Sequence, residues 1–376
     1  MRVAILANDV VPGMGMPVAA PGLRAWGMSE GLRALGCDVT LIIEPGLVGT
    51  VWDRVLPPPT PRGAIALRPS RVADYVRVHA IEALVICNSN HAPALGDLDG
   101  CRLIYDFFAP KLLEMSQNLA REDLDEALDH LRGRKLAALA RSDAVISNGA
   151  KKVPYVREWM QRSGVPDLPL AVVNLGIPPL APAPQHPGPL RAIVTGYLQP
   201  WSRPGAWATA VLPLLDDGVM TLDLLVARHW GQRTTREEFP QELIRLFEHP
   251  AVTRHESLRL GDFRSLLSGF DVSIDVFARN PERELAMVTR SVVALAGGLP
   301  VLHPPFTEVS PVIEEFHAGW LVHGDDPVEI TDVLRRVAQD RASLDLARQG
   351  AVRASHEVFD PAVAATPLVT LLEEIL

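Results

Sequence analysis

No apolar run in this chain reaches the ~20 residues needed to cross a bilayer as a helix, so a membrane-spanning helix is excluded. Cysteine is scarce as well. Cys37, Cys87 and Cys101 are odd in number and far apart in strand-like or strand-flanking stretches, which excludes a disulfide or zinc framework. They read as small buried hydrophobes in a reducing compartment. A basic excess is also missing: the formal net charge is −9, which argues against nucleic acid as the main partner. The first residues, Met1–Ala7, run straight into Asn8-Asp9 without the long apolar core of a signal peptide. They read as a first strand, and the expected location is the cytoplasm. What is present is 48% hydrophobic and 22% charged residues over 376 positions, the balance of a well-filled globular protein with two or three domains.

Short apolar runs alternate with helix-period segments, the pattern that builds parallel sheets from βαβ units. Strands are expected at Arg2–Ala7, Val39–Ile43, Ala83–Cys87, Leu103–Tyr105, Ala144–Ser147 and Ala171–Val173. Gly22–Leu35 is expected as a helix with Leu23, Trp26, Leu32 and Leu35 on one stripe, and one long helical stretch runs from about Pro110 to Arg141. A proline-rich stretch, Pro178–Pro189, then reads as an extended linker. Beyond it the rhythm restarts, with strands at Ala192–Thr195, Leu222–Val226, Val272–Val276 and Val301–Leu302, and a helix over Leu285–Ala296. The implied organisation is a Rossmann-like domain over residues 1–177, a linker over 178–190 and a second Rossmann-like domain over 191–360. A last helix over 361–376 crosses back to the first domain.

Three turns carry the chemistry. The first strand leads into Asn8–Pro17, where Gly13 and Gly15 allow close backbone approach beside Met16. The third glycine comes only at Gly22, so this is no dinucleotide fingerprint. The matching turn in the second half is Thr195–Pro204, where Gly196, Tyr197, Trp201 and Arg203 precede a helix opening on proline. A helix amino terminus with an arginine suits a diphosphate. The third segment, Asn280–Val301, reads as loop, buried helix, glycine stop and buried strand. Glu282 and Glu284 stand at the helix entrance, and Thr289-Arg290 interrupts an apolar face.

Gly298-Leu299-Pro300-Val301, Asn174–Pro178, Ala318–Val322 followed by Gly324-Asp325, and Cys37–Leu41 stand in an order that resembles the GT4-type retaining glycosyltransferases of the GT-B fold. The resemblance spans nearly the whole chain and implies two Rossmann-like domains whose parallel sheets face across a cleft holding the active site. The branch it is most similar to belongs to bacterial polysaccharide clusters and carries Tyr105-Asp106 and Pro110, Trp201 and Pro204, and Thr289-Arg290. One departure matters: the family's second glutamate, a ribose ligand, is replaced by Val293 here. A non-catalytic relative acting as a nucleotide- or glycan-binding partner subunit is therefore the alternative, with a sugar-nucleotide epimerase as a third.

The resemblance implies transfer of a hexose from a nucleotide diphosphate sugar to a glycan or lipid-linked acceptor, with retention, without a cofactor and without a metal. Arg203, Arg290 and helix amino termini would hold the diphosphate. Glu282 or Glu284 would sit near the donor sugar. His91, at the end of the run Val85–His91, would face the same sugar or else stand solvated on a loop. Asp106 would orient the acceptor hydroxyl or act as its base, or else cap the helix near Pro110. The basic residues Arg132, Arg134, Lys135, Arg141, Lys151, Lys152, Arg157 and Arg162 would meet a lipid phosphate or membrane headgroups, or form a solvated helix face.

Overall fold

In a computed structural model of the protein, the described residues are 1–46, 59–118, 121–181, 186–197, 204–227 and 240–376. They divide into two compact units. Unit 1 comprises Met1–Ile177, Leu285–Met287 and Asp360–Leu376; unit 2 comprises Pro178–Glu284 and Val288–Phe359.

Unit 1 is built on a seven-stranded sheet. Its strands are β1 (Arg2–Ala7), β2 (Asp38–Ile43), β3 (Ala64–Ala66), β4 (Ala83–Ile86), β5 (Arg102–Asp106), β6 (Ala144–Ser147) and β7 (Leu170–Val172). Their order is β3-β2-β1-β4-β5-β6-β7, and every pairing is parallel. β1 shows why the sequence forms this element. Val3, Ile5 and Ala7 pack with Ala25, Met28 and Leu32 on one face, and Ala4 and Leu6 pack into the cluster of Leu139 and Trp159 on the other. A strand buried on both faces is an unbroken apolar run.

The helix expected over Gly22–Leu35 spans Ala20–Ala34. Its packing differs from the expected leucine stripe, since Leu35 is 40% exposed. Small residues make the closest contacts instead. A β-carbon at Gly27 would lie 2.1 Å from the Gly176 carbonyl oxygen, and one at Gly31 would lie 2.0 Å from the Pro361 oxygen. The helix is thereby pressed against the Gly176 loop and the Pro361–Ile375 helix. The long expected helix is two, Lys111–Asn118 and Arg121–Arg141.

The basic stretch is not one face. Arg132 pairs with Asp129 and Arg162 with Glu158 at the surface, but Lys135 and Lys152 are buried. The Lys135 Nζ lies 4.0 Å from the Phe107 ring centroid, and the Lys152 Nζ donates to the Phe108 oxygen at 2.5 Å. Burial, with Lys152 nearby adding to it, lowers the Lys135 ammonium to about 7.

Unit 2 carries a six-stranded parallel sheet: β8 (Leu190–Tyr197), β9 (Met220–Ala227), β10 (Val252–Arg254), β11 (Val272–Ile274), β12 (Val301–His303) and β13 (Gly319–Leu321). The order is β10-β9-β8-β11-β12-β13. The helix expected over Leu285–Ala296 begins only at Thr289, preceded by a single turn at Pro281–Glu284. Ala286, Met287 and Val288 are buried, so tertiary burial overrides the local helical preference of the intervening residues. Aspartates cap the closing helices: Asp326 accepts from Val328 and Glu329, Asp340 from Ser343, and Asp360 from Ala362. No described helix is long and apolar enough to cross a membrane.

Candidate functional site

In an open parallel sheet, ligands bind at the carboxyl ends of the strands where the strand order reverses. Each unit has one such point. In unit 1 it lies between β1 and β4, and in unit 2 between β8 and β11.

At the unit 2 switch point, β8 ends in Thr195-Gly196-Tyr197, β11 leads into Asp275, and β12 ends in His303. The first turn of the Thr289–Ala296 helix brings Arg290 and Ser291 to the same place. Arg290 Nε donates to Asp275 Oδ1 at 2.5 Å, and its Nη1 to the Thr195 oxygen at 3.3 Å. The Asp275 side chain is 2% exposed and that of Arg290 24%, so the cation reaches the surface while its carboxylate does not. Gly196 makes this possible. Its φ is +92°, and a β-carbon there would stand 3.1 Å from both Cδ and Nη1 of Arg290. Only glycine lets the arginine lie across the end of β8.

Behind this pair lies a buried polar chain. Ser291 Oγ donates to Asp275 Oδ2 at 2.5 Å and meets His303 Nδ1 at 3.1 Å. His303 Nε2 meets Thr307 Oγ1 at 2.8 Å. Burial lowers the His303 imidazole to about 4, outweighing the opposite pull of Asp275. The imidazole is therefore neutral at pH 7. The Phe277 ring stands edge-on to His303, with Arg283 and Arg290 over it at 5.4 and 5.9 Å from its centroid.

The two candidate glutamates part company. Glu282 is buried and forked onto Arg283, with 2.9 Å between Oε1 and Nη2. Glu284 is exposed and paired with Arg279 at 2.5 Å. Thr289 opens the helix one residue before Arg290. Tyr197 closes β8, whereas Trp201 and Arg203 lie outside the described residues.

At the unit 1 switch point, Asn88 Nδ2 donates to Asn8 Oδ1. Gly13 and Gly15 have φ of +93° and +75°, and Met16 beside them is buried. His91 is not solvated, as one expectation held: it is 3% exposed, and its Nε2 lies 3.1 Å from Glu44 Oε2 at the end of β2. Its Nδ1 is buried without a hydrogen-bond partner among the described residues. Burial lowers its pKa against the pull of Glu44. Glu44 was not anticipated, because nothing in the sequence ties it to a histidine far along the chain.

Asp106 requires a correction. Among the described residues it caps no helix. Its two oxygens accept from Nε and Nη2 of Arg24, each at 3.1 Å, and both side chains are fully buried. Arg24 Nη1 also donates to the Val173 and Asn174 oxygens at 2.5 and 2.7 Å. The pair ties β5, the first helix and the segment after β7 together. The sequence signals that could have flagged Arg24 and Asp275 are an arginine early in an otherwise apolar stretch of the first helix and an aspartate in the run Val272–Val276.

No family model matches the sequence, and no curated protein matches it. Solved structures match it in fold. Sucrose-phosphate synthase from Thermosynechococcus elongatus gives a TM-score of 0.73 at 15% identity, covering 100% of this chain and 98% of that one. HepE of Anabaena, in complex with UDP and glucose, gives 0.67 at 13% identity, covering 100% of both chains. WaaG, a glycosyltransferase involved in lipopolysaccharide biosynthesis, gives 0.62 at 13% identity over 99% of this chain and 98% of that one. The chain has the GT-B fold that its motifs led one to expect: two Rossmann-like units, each a parallel sheet flanked by helices.

Proposed function

We propose that this chain is a glycosyltransferase that moves a hexose from a nucleotide diphosphate sugar to a glycan or lipid-linked acceptor, with retention and without a metal. The observation that carries this proposal is Arg290, a half-buried cation fixed at the β8–β11 switch point with glycine beneath it. A guanidinium there can make two parallel charge-assisted bonds to a diphosphate and stabilise it as the leaving group. Arg203, Trp201, Tyr197 and Thr289 belong to the same proposed donor site. The complexes of HepE with UDP and with UDP-glucose agree with a donor of that class. Within unit 2, Glu282 is proposed to meet the donor sugar, with Glu284 as the alternative; within unit 1, His91 is proposed as a sugar-binding residue, with Gly13, Gly15 and Met16 lining the first turn. The protein would work in the cytoplasm, at a membrane surface where the acceptor is lipid-linked.

A second function is favoured by one observation. Val293 is buried and apolar where the family resemblance calls for a ribose-binding glutamate. A chain that binds the nucleotide without turning it over would fit that.

The test is a calorimetric titration with UDP, GDP, ADP, dTDP and CMP, followed by turnover of the matching sugar nucleotide. Binding of one diphosphate, weakened about tenfold or more by Arg290→Ala, is the expected result. Binding with no turnover on any acceptor or water would select the second function. No binding to any nucleotide would overturn both.

A further inference from the structure

Hydrogen-bond polarity can be followed through the buried chain behind Arg290. A carboxylate oxygen only accepts, so the Ser291 hydroxyl proton goes to Asp275 Oδ2 at 2.5 Å. That hydroxyl has no second proton, so its contact with His303 Nδ1 at 3.1 Å requires His303 to donate. The neutral ring then carries its proton on Nδ1, and Nε2 accepts from Thr307 Oγ1 at 2.8 Å. Thr307 Oγ1 in turn accepts from the Val309 amide at 3.1 Å and lies 3.0 Å from Ser310 Oγ, a second acceptor that the shorter contact to His303 outcompetes for its one proton. Every bond in the series points the same way, toward Asp275. The other oxygen of Asp275 accepts from Arg290 Nε.

Stability alone is a poor reason for this construction. A buried carboxylate loses its hydration, and an ion pair of this kind often does no better than a well-packed apolar pair. Ser291, His303 and Thr307 are all at 2% exposure or less and form no part of a surface. Ser291 occupies one Asp275 oxygen, with His303 and Thr307 behind it, and the other Asp275 oxygen plus the Thr195 carbonyl grip Arg290 from two sides. Gly196, at a φ of +92°, has no β-carbon to push it away.

We infer that Asp275 is the positioning residue for Arg290, and that the Thr307–His303–Ser291 chain orients Asp275 through a fixed Nδ1–H tautomer of His303. This rests on the proposal above that Arg290 meets the donor diphosphate. Simple charge counting gives the opposite sign for the effect of Asp275. Neutralising a carboxylate beside an anion site should raise anion affinity, whereas losing the positioning group should lower it.

The experiment measures UDP and uridine affinity by calorimetry for the wild type, Asp275→Asn, Ser291→Ala and Arg290→Ala. Asp275→Asn is expected to weaken UDP binding about 10- to 100-fold and Ser291→Ala roughly 3- to 10-fold, with uridine unchanged. In an Arg290→Ala background, neither change should weaken binding further. Unchanged or tighter UDP binding in a folded Asp275→Asn protein overturns the inference. Where Asp275→Asn does not fold, Ser291→Ala decides, because it leaves the ion pair and the net charge intact. A second readout needs no nucleotide. Nitrogen-15 shifts of His303 in the wild type should report the Nδ1–H tautomer, and the Arg290 Nε–H signal should lose its exchange protection in Ser291→Ala. An Nε2–H tautomer, or an Arg290 signal that never shows protection, refutes the chain whatever binds. Failure of the wild type to bind any nucleotide, with these signals present, would instead remove the donor-site proposal and leave the clamp standing.

Discussion

Replacing Asp106 by Asn separates a fold-holding pair from an acceptor base. In the wild type the Arg24 guanidinium is fully buried and donates to both Asp106 oxygens at 3.1 Å. Asn keeps the shape but removes the charge, and it turns one acceptor into a donor facing a donor. An uncompensated guanidinium is left in the core, where breaking one side of a buried pair costs about 3–5 kcal/mol. The Val173 and Asn174 carbonyls depend on the same arginine, so their shielding goes with it. Because the chain has two units, a single melting temperature would blur the effect. Hydrogen exchange on the β5 and β6 amides under native conditions reads unit 1 by itself, and urea titration gives the total. The double variant Arg24→Met/Asp106→Leu should cost clearly less than the two single changes added together. An Asp106→Asn protein within about 1 kcal/mol of wild type, yet inactive, would refute the structural role and restore the base.

A buried imidazole and a strand-end glycine set two further outcomes. His303 is held down to about 4 in the folded state against 6.5 unfolded; the unfolded chain therefore binds the extra proton between those values. Stability is full above pH 6.5 and should fall by about 3 kcal/mol as pH drops to 4. His303→Gln should show a correspondingly flatter urea-stability profile over that window, and equal slopes would contradict it. Gly196→Ala puts a β-carbon 3.1 Å from Arg290 at a φ of +92°. It should cost about 1–2 kcal/mol and weaken UDP binding several-fold by calorimetry, whereas unchanged affinity would remove Arg290 from the donor site.

The sequence exposed the fold through its doubly buried strands. Runs such as Val3–Ala7 and Ala144–Ser147 have one meaning in an α/β chain, and they lie where expected. Short strands at Ala64–Ala66, Val252–Arg254 and Gly319–Leu321 escaped notice, because three residues at a sheet edge carry no period. The site was legible where a residue broke a pattern, as Arg290 does in an apolar helix and Gly196 at a strand end. It was illegible where the meaning lies in a distant partner. Asp106 looked like a loop acid until Arg24, 82 positions away, filled both its oxygens. Glu44 and His91, 47 positions apart, are a second case. Asp275 sat in plain view within a run expected as a strand, but only its contacts reveal what it holds.

The Pro361–Ile375 helix belongs to unit 1, pressed on the Ala20–Ala34 helix where Gly31 meets Pro361. Its order of birth on the ribosome is therefore out of step with its place in space. Nearly all of unit 2 is synthesised between the two main parts of unit 1, as the run Pro178–Glu284 and then Val288–Phe359. Unit 2 has its whole sheet in hand while the first helix of unit 1 still shows a bare face of glycine, alanine and leucine. The later unit is thus the first that can finish, and the earlier one waits, in need of shelter from aggregation, for the segment after Phe359.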